Sequence, residues 1–213
     1  MSRASCTPGR SWDPRRCGRC WSLGQLPRSC ERSGDAEMVV VGSRGGGGVA
    51  GLPLGSVSLE VAAFACGPVV VARGRWRPVA DVVRGPVVVG VDGSAASRAV
   101  VAFAAEEAAF RGVSLLAVCA LADSPGVLGG AHLVQDDFDQ AMARCEKEHP
   151  EVPVRRQVAD GSARAALLAA AYDAQLLVVG GRGRGGLPGM KLGSVSQALL
   201  CYAPCAVSVV HPR

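Results

Sequence analysis

Two strings of glycine, basic residues and serine stand 138 positions apart in this chain: GSRGGGGVAGLPLGS at 42–56 and GGRGRGGLPGMKLGS at 180–194. Each reads G-x-x-G, nine residues, then G-S, at Gly42, Gly45, Gly55 and Ser56 and again at Gly180, Gly183, Gly193 and Ser194. Each follows an apolar run and opens onto a stretch with helical periodicity. Glycines in such a place permit positive φ and let a ligand touch the backbone. A helix N-terminus behind them supplies unpaired N–H groups and a partial positive charge, which together suit a phosphate. Ser194 adds a hydroxyl donor, and Arg182 and Arg184 are either extra positive charge for the ligand or solvated side chains. A flexible surface loop is the plain alternative. Two copies with identical spacing, each between a strand and a helix, argue against it. Neither string is a G-K-[ST] phosphate loop, and neither is a G-x-G-x-x-G placed after a first strand.

A carboxylate completes the set. In PVVVGVDGS (86–94) an apolar strand runs into a turn, leaving Gly90 and Asp92 at its carboxyl end. Open parallel sheets bind ligands at such ends, where the strand order reverses. Asp92 could there accept hydrogen bonds from both hydroxyls of a ribose, or it could be an ordinary turn or helix-capping aspartate. The case for phosphoryl transfer is weaker, because that reaction needs metal-held phosphates and a positioned nucleophile. No acidic residue lies inside 180–194, His211 follows the last strand, and His132 and His149 fall in a loop and at a helix end.

The elements that must position these groups are legible along the chain. Residues 1–34 show neither period 2 nor period 3.6, are rich in Arg, Ser, Cys, Pro and Gly, and read as poorly ordered. Met38–Val41 reads as a strand, 55–65 as a helix and 68–74 as a strand, with 75–85 as a linker. From 86 the pattern is fuller: a strand running into a turn over 86–94, helix 95–111 capped by Ser94 and stopped by Gly112, and strand 114–121. A loop at 123–133, helix 135–148, strand 152–158, helix 160–174, strand 175–180, helix 193–202 and strand 205–210 follow. Five strands alternating with four helices predict an α/β fold, an open parallel sheet covered on both faces. Residues 42–74 superpose without a gap on 180–212, so the chain reads as one complete unit, 86–213, preceded by the last strand–helix–strand of another, 35–74.

Composition narrows the class. The chain has 213 residues, 49% hydrophobic and 4% aromatic, with a net charge of +5. Arginine is concentrated in 1–34, but a basic composition alone is weak evidence for a nucleic-acid surface, and no nucleic-acid partner is expected. The nine cysteines include one C-x-x-C, Cys17 and Cys20, without a second pair at zinc spacing. Cys66, Cys119, Cys145, Cys201 and Cys205 read as small core residues. No secretory apolar segment opens the chain and no apolar run reaches about 18 residues, so a reduced, cytoplasmic setting without membrane contact is expected.

VVVGVDGSAASRAVVAFAAEEA, LLVVG and the G-x-x-G-x9-G-S string followed by VSQALLCYAPCAVSVV resemble the universal stress protein family, in the tandem form common in actinobacteria. The likeness covers 86–212 and 38–74. It implies a Rossmann-like five-stranded parallel sheet of order 3-2-1-4-5, as in adenine nucleotide alpha hydrolases, with a partial second copy. It also implies binding of ATP, with or without Mg, and self-association through the last strands. By position, Gly90 and Asp92 would flank the adenosine and Cys119 and Ala120 would lie along the adenine. Gly180, Arg182, Gly183, Arg184, Gly185, Gly186, Gly193, Ser194 and Val195 would hold the phosphates. Many relatives carry His, a small residue and Trp where this chain has Cys119, Ala120 and Leu121. The expected function is an ATP-binding regulatory protein of the stress response, against two rivals: a weak ATP hydrolase, and an interaction scaffold whose loop binds nothing.

Overall fold

A computed structural model of the chain describes residues 37–43, 53–73, 85–94, 96–121, 130–184 and 190–211. The expectations for 1–34, for Gly45, Gly185 and Gly186 and for most of the linker lie outside them. The strands are β1 (Val39–Gly42), β2 (Val69–Ala72), β3 (Val87–Val91), β4 (Leu115–Ala120), β5 (Val154–Ala159), β6 (Leu176–Gly180) and β7 (Ala206–Val210). The helices are α1 (Ser56–Phe64), α2 (Ser97–Arg111), α3 (Gly130–Glu148), α4 (Ala163–Ala170) and α5 (Ser194–Tyr202). All seven strands join one sheet of order β1-β2-β7-β6-β3-β4-β5. Neighbours run parallel except β2 and β7.

The apolar runs become central strands because both sheet faces are covered. Val87, Val89 and Val91 join one buried cluster with Val101, Ala104 and Ala105 of α2 and Phe138 and Met142 of α3. Val88 points the other way, into a cluster with Val69 and Val71 of β2, Leu167 of α4 and Leu199 and Leu200 of α5. Each fully buried valine contributes about 1.5–3 kcal/mol by area. Strand β5, at the edge, is mostly exposed and carries Arg155 and Arg156, charges that discourage further pairing.

Several boundaries differ from the sequence reading. Helix α3 begins at Gly130, inside the expected loop, since GGAHL carries no helix-start signal. Helix α4 spans only Ala163–Ala170 of the expected 160–174, and it starts late because Gly161 has φ +107, outside the helical region. Ser94 does not cap α2. The N-cap is Ala96, without a side-chain bond, and Ser94 serves through its carbonyl, which accepts from the Ser97 N–H at 2.9 Å. Gly112 ends α2 in the left-handed conformation, φ 64, as the sequence indicates.

The internal repeat is a repeat of structure. Ser58 Oγ donates to the Gly42 carbonyl at 2.6 Å, and Ser196 Oγ donates to the Gly180 carbonyl at 2.6 Å. The Gly55 N–H bonds the Ser43 carbonyl at 2.8 Å, and the Gly193 N–H bonds that of Gly181 at 2.7 Å. The two copies meet about a local two-fold axis. Val69 pairs with Val209, Val71 with Val207, and Val70 with Ser208, its own counterpart 138 positions on. Helix ends are exchanged across the axis in the same way. The Arg73 guanidinium, just past β2, donates to the Leu199, Leu200 and Cys201 carbonyls at the end of α5. His211, just past β7, has Nε2 2.8 Å from the Ala62 carbonyl near the end of α1. Carbonyls in the last helical turn are short of backbone donors, and these side chains add donors there, although the Leu199 carbonyl also accepts from the Ala203 N–H at 2.9 Å.

Candidate functional site

Strand β3 lies between β6 and β4; the chain runs from β3 to β4 on one side and returns from β5 to β6 on the other, so the strand order reverses here and a crevice opens above the carboxyl end of β3. A cavity of about 640 Å³ occupies that crevice. One side is apolar, with Ala120, Val134 and Leu167. The other is polar, with Asp92, Ser94, Arg182, Arg184 and Ser194 at the start of α5.

Both carboxylate oxygens of Asp92 are engaged. Its Oδ1 accepts from Ser97 Oγ at 2.7 Å and from the Ser94 N–H at 3.0 Å, while Oδ2 accepts from the Arg184 N–H at 2.8 Å. The carboxylate therefore stitches the turn after β3 to the glycine loop after β6. Burial by itself raises its pKa, but the bonds from Ser94, Ser97 and the Arg184 amide outweigh burial and hold it below the ordinary 3.8. Between the two values the unfolded chain binds the proton that the folded chain refuses. The stability Asp92 contributes is thus complete above about pH 4 and is lost as pH falls below 3.8 towards the folded value. Urea midpoints measured across that range should fall less steeply for Asp92→Asn than for the unaltered chain.

Gly183 has its glycine because of this carboxylate. A Cβ there would stand 2.7 Å from Asp92 Oδ2, closer than real Cβ atoms come. The sequence reading invoked positive φ for the loop glycines. Among the described residues, positive φ occurs instead at Gly93, Gly112 and Gly161. Gly93 combines φ 70 with a second close approach, since a Cβ would meet the Arg184 guanidinium.

Of the residues singled out from sequence, Gly90, Asp92, Ala120, Gly180, Arg182, Gly183, Arg184, Gly193, Ser194 and Val195 all border the cavity. Cys119 does not. Strand alternation turns its side chain into the core beneath α2 and α3, where burial pushes its thiol pKa up to about 11. Gly185 and Gly186 fall outside the described residues. Sequence reasoning missed Ser97, whose hydroxyl holds Asp92, and Ser196, whose hydroxyl holds the Gly180 carbonyl. The repeat contained the signal for Ser196, because Ser58 stands at the matching position. Asp137 of α3 was also missed. Its Oδ2 takes the Arg184 guanidinium at 2.6 Å, and that guanidinium also donates to the Gly93 carbonyl at 2.7 Å. Both acceptors border a second cavity of about 650 Å³, between α2 and α3. Among the described residues no helix is long and apolar enough to cross a membrane.

Comparison with known proteins places this architecture. The model of the universal stress protein family matches residues 29–73 and 84–211. A universal stress protein of Mycolicibacterium smegmatis is 40% identical over 190 residues, which cover 86% of this chain and 64% of that relative. The chain thus spans about two-thirds of that relative's length. A universal stress protein from Archaeoglobus fulgidus has the same fold, with a TM-score of 0.60 at 22% identity over 87% of this chain and 64% of its own. A universal stress protein solved in complex with cAMP is 29% identical, covering 60% of this chain and 96% of its own, with a TM-score of 0.48. The chain belongs to the universal stress protein family.

Proposed function

We propose that the cavity above β3 binds ATP, one molecule per chain, and that the protein is a regulatory nucleotide binder rather than an efficient hydrolase. One observation carries this reading. The glycine-loop backbone, the N-terminus of α5 with Ser194, and Asp92 converge on one cavity of about 640 Å³ at the point where the strand order reverses. That volume is within the range of small-molecule sites, roughly 300–1,000 Å³. In this reading the phosphates lie against Gly180, Gly183, Gly193 and Ser194, and the adenine lies on the apolar side with Ala120 and Leu167. Asp92, besides stitching the loop, accepts from the ribose with its remaining lone pairs. It is the one carboxylate bordering the cavity among the described residues, and its existing bonds make it a poor base.

The unit that binds is 86–213. Residues 35–74, a truncated copy, repeat the loop framework without a counterpart of β3 or Asp92 among the described residues. Isothermal titration with ATP, with and without Mg, tests the proposal alongside mass spectrometry of nucleotide released on denaturation. One site per chain with slow phosphate release is expected. No heat and no co-purified nucleotide would favour a scaffold, and rapid turnover would favour the hydrolase.

A further inference from the structure

Arg184 borders the cavity, but its guanidinium is tied to groups that do not. Its amide belongs to the loop and bonds Asp92 at 2.8 Å. Its guanidinium turns away, to the Gly93 carbonyl at 2.7 Å and Asp137 Oδ2 at 2.6 Å. Both acceptors border the neighbouring cavity between α2 and α3, and neither borders the one above β3. Asp139, close by on α3, is taken up by Arg156 at 3.3 Å and Gln135 at 3.2 Å, leaving Asp137 as the carboxylate that holds Arg184. Arg184 and Asp137 keep side-chain exposures of 36% and 48%, so the pair can exchange partners without unpacking the core.

We infer that Asp137 sets the specificity of the site by the charge of the ligand. It withholds the Arg184 guanidinium from the cavity and keeps a negative charge just beyond the cavity lining, behind Arg184. This rests on the proposal that the cavity takes a nucleotide. A polyphosphate must draw the guanidinium from Asp137 and approach a carboxylate that repels it, whereas an uncharged nucleoside meets neither demand. Arginine favours a bidentate phosphate partner, so the exchange is chemically sound, and Asp137 subtracts from its benefit. The contact would thus bias the site against highly charged nucleotides, with the bias growing with each phosphate.

Calorimetric titration of the full chain with adenosine, AMP and ATP tests this in Asp137→Asn and Asp137→Ala. An exposed ion pair supports a gain of about fivefold in ATP affinity, a smaller gain for AMP and none for adenosine, shrinking at high salt. In an Arg184→Ala background the gain from Asp137→Asn should fall to the small part due to the nearby negative charge. Equal shifts for adenosine and ATP would mean that Asp137 acts on cavity shape alone, and unchanged or weaker ATP binding would remove its role; either overturns the inference while nucleotide binding stands. Failure of both the unaltered chain and the variants to bind any of the three ligands would overturn the nucleotide reading itself, and this inference with it.

Discussion

Gly183→Val will remove most ATP affinity while leaving the chain folded. The Cβ alone would stand 2.7 Å from Asp92 Oδ2. The loop must therefore move off the carboxylate, which breaks the bond from the Arg184 N–H to Asp92. A hydrogen bond to a charged group is worth about 1.5–3 kcal/mol, so the cost is about tenfold to a hundredfold in affinity before the branched side chain crowds the phosphates. Gly183 is itself exposed and belongs to neither buried cluster, so both cores stay packed and the urea midpoint should fall by no more than the loss of that one bond. Gly183→Ala should lose nearly as much, because the clash begins at Cβ. Unchanged ATP affinity in both variants would show that the nucleotide does not depend on this loop.

The same glycine shows what sequence could and could not convey. G-x-x-G-x9-G-S marked the position twice, since spacing is a one-dimensional property and a repeat makes it conspicuous. The cause was different. The reading expected a left-handed backbone, and the structure supplies a carboxylate from β3, 91 residues earlier in the chain. The strands were plain for a related reason: strands covered on both faces must be apolar at every position, and VVVGV and LLVVG are. Helix ends were less legible, because α3 starts in a glycine-rich stretch with no cap. Cys119 was misplaced by one step of strand alternation, a period that a continuous apolar run cannot display. The Arg184–Asp137 contact joins a loop to a helix 47 residues away, and nothing local to either residue announces it.

The largest change expected concerns the partial unit. Removing residues 1–80 should convert 86–213 into a two-fold dimer. That unit retains five strands, four helices and nearly all of the cluster beneath α2 and α3, so it keeps a core of its own. What it loses is β2, and with it the cover of Val207 and Val209, both fully buried in the whole chain. An open apolar strand edge recruits another strand, and the register already shows how. Because β2 repeats β7 and pairs with it about Val70 and Ser208, a second copy of β7 can take the place of β2 with no change of geometry, giving a self-complementary contact. Ser208 makes this substitution favourable. Among the described residues its Oγ is buried without a hydrogen-bond partner, because it faces Val70. Two copies of β7 would instead set Ser208 against Ser208, and a cross-strand hydroxyl pair can satisfy both. His211 would then reach the Leu200 carbonyl of the other copy, as it reaches the matching Ala62 here. Light scattering should give twice the chain mass for 86–213, and Ser208→Asp should return it to a monomer by placing two buried carboxylates on the axis. A truncated chain that is folded by circular dichroism yet strictly monomeric at high concentration would refute the idea that residues 38–73 stand in for a second subunit.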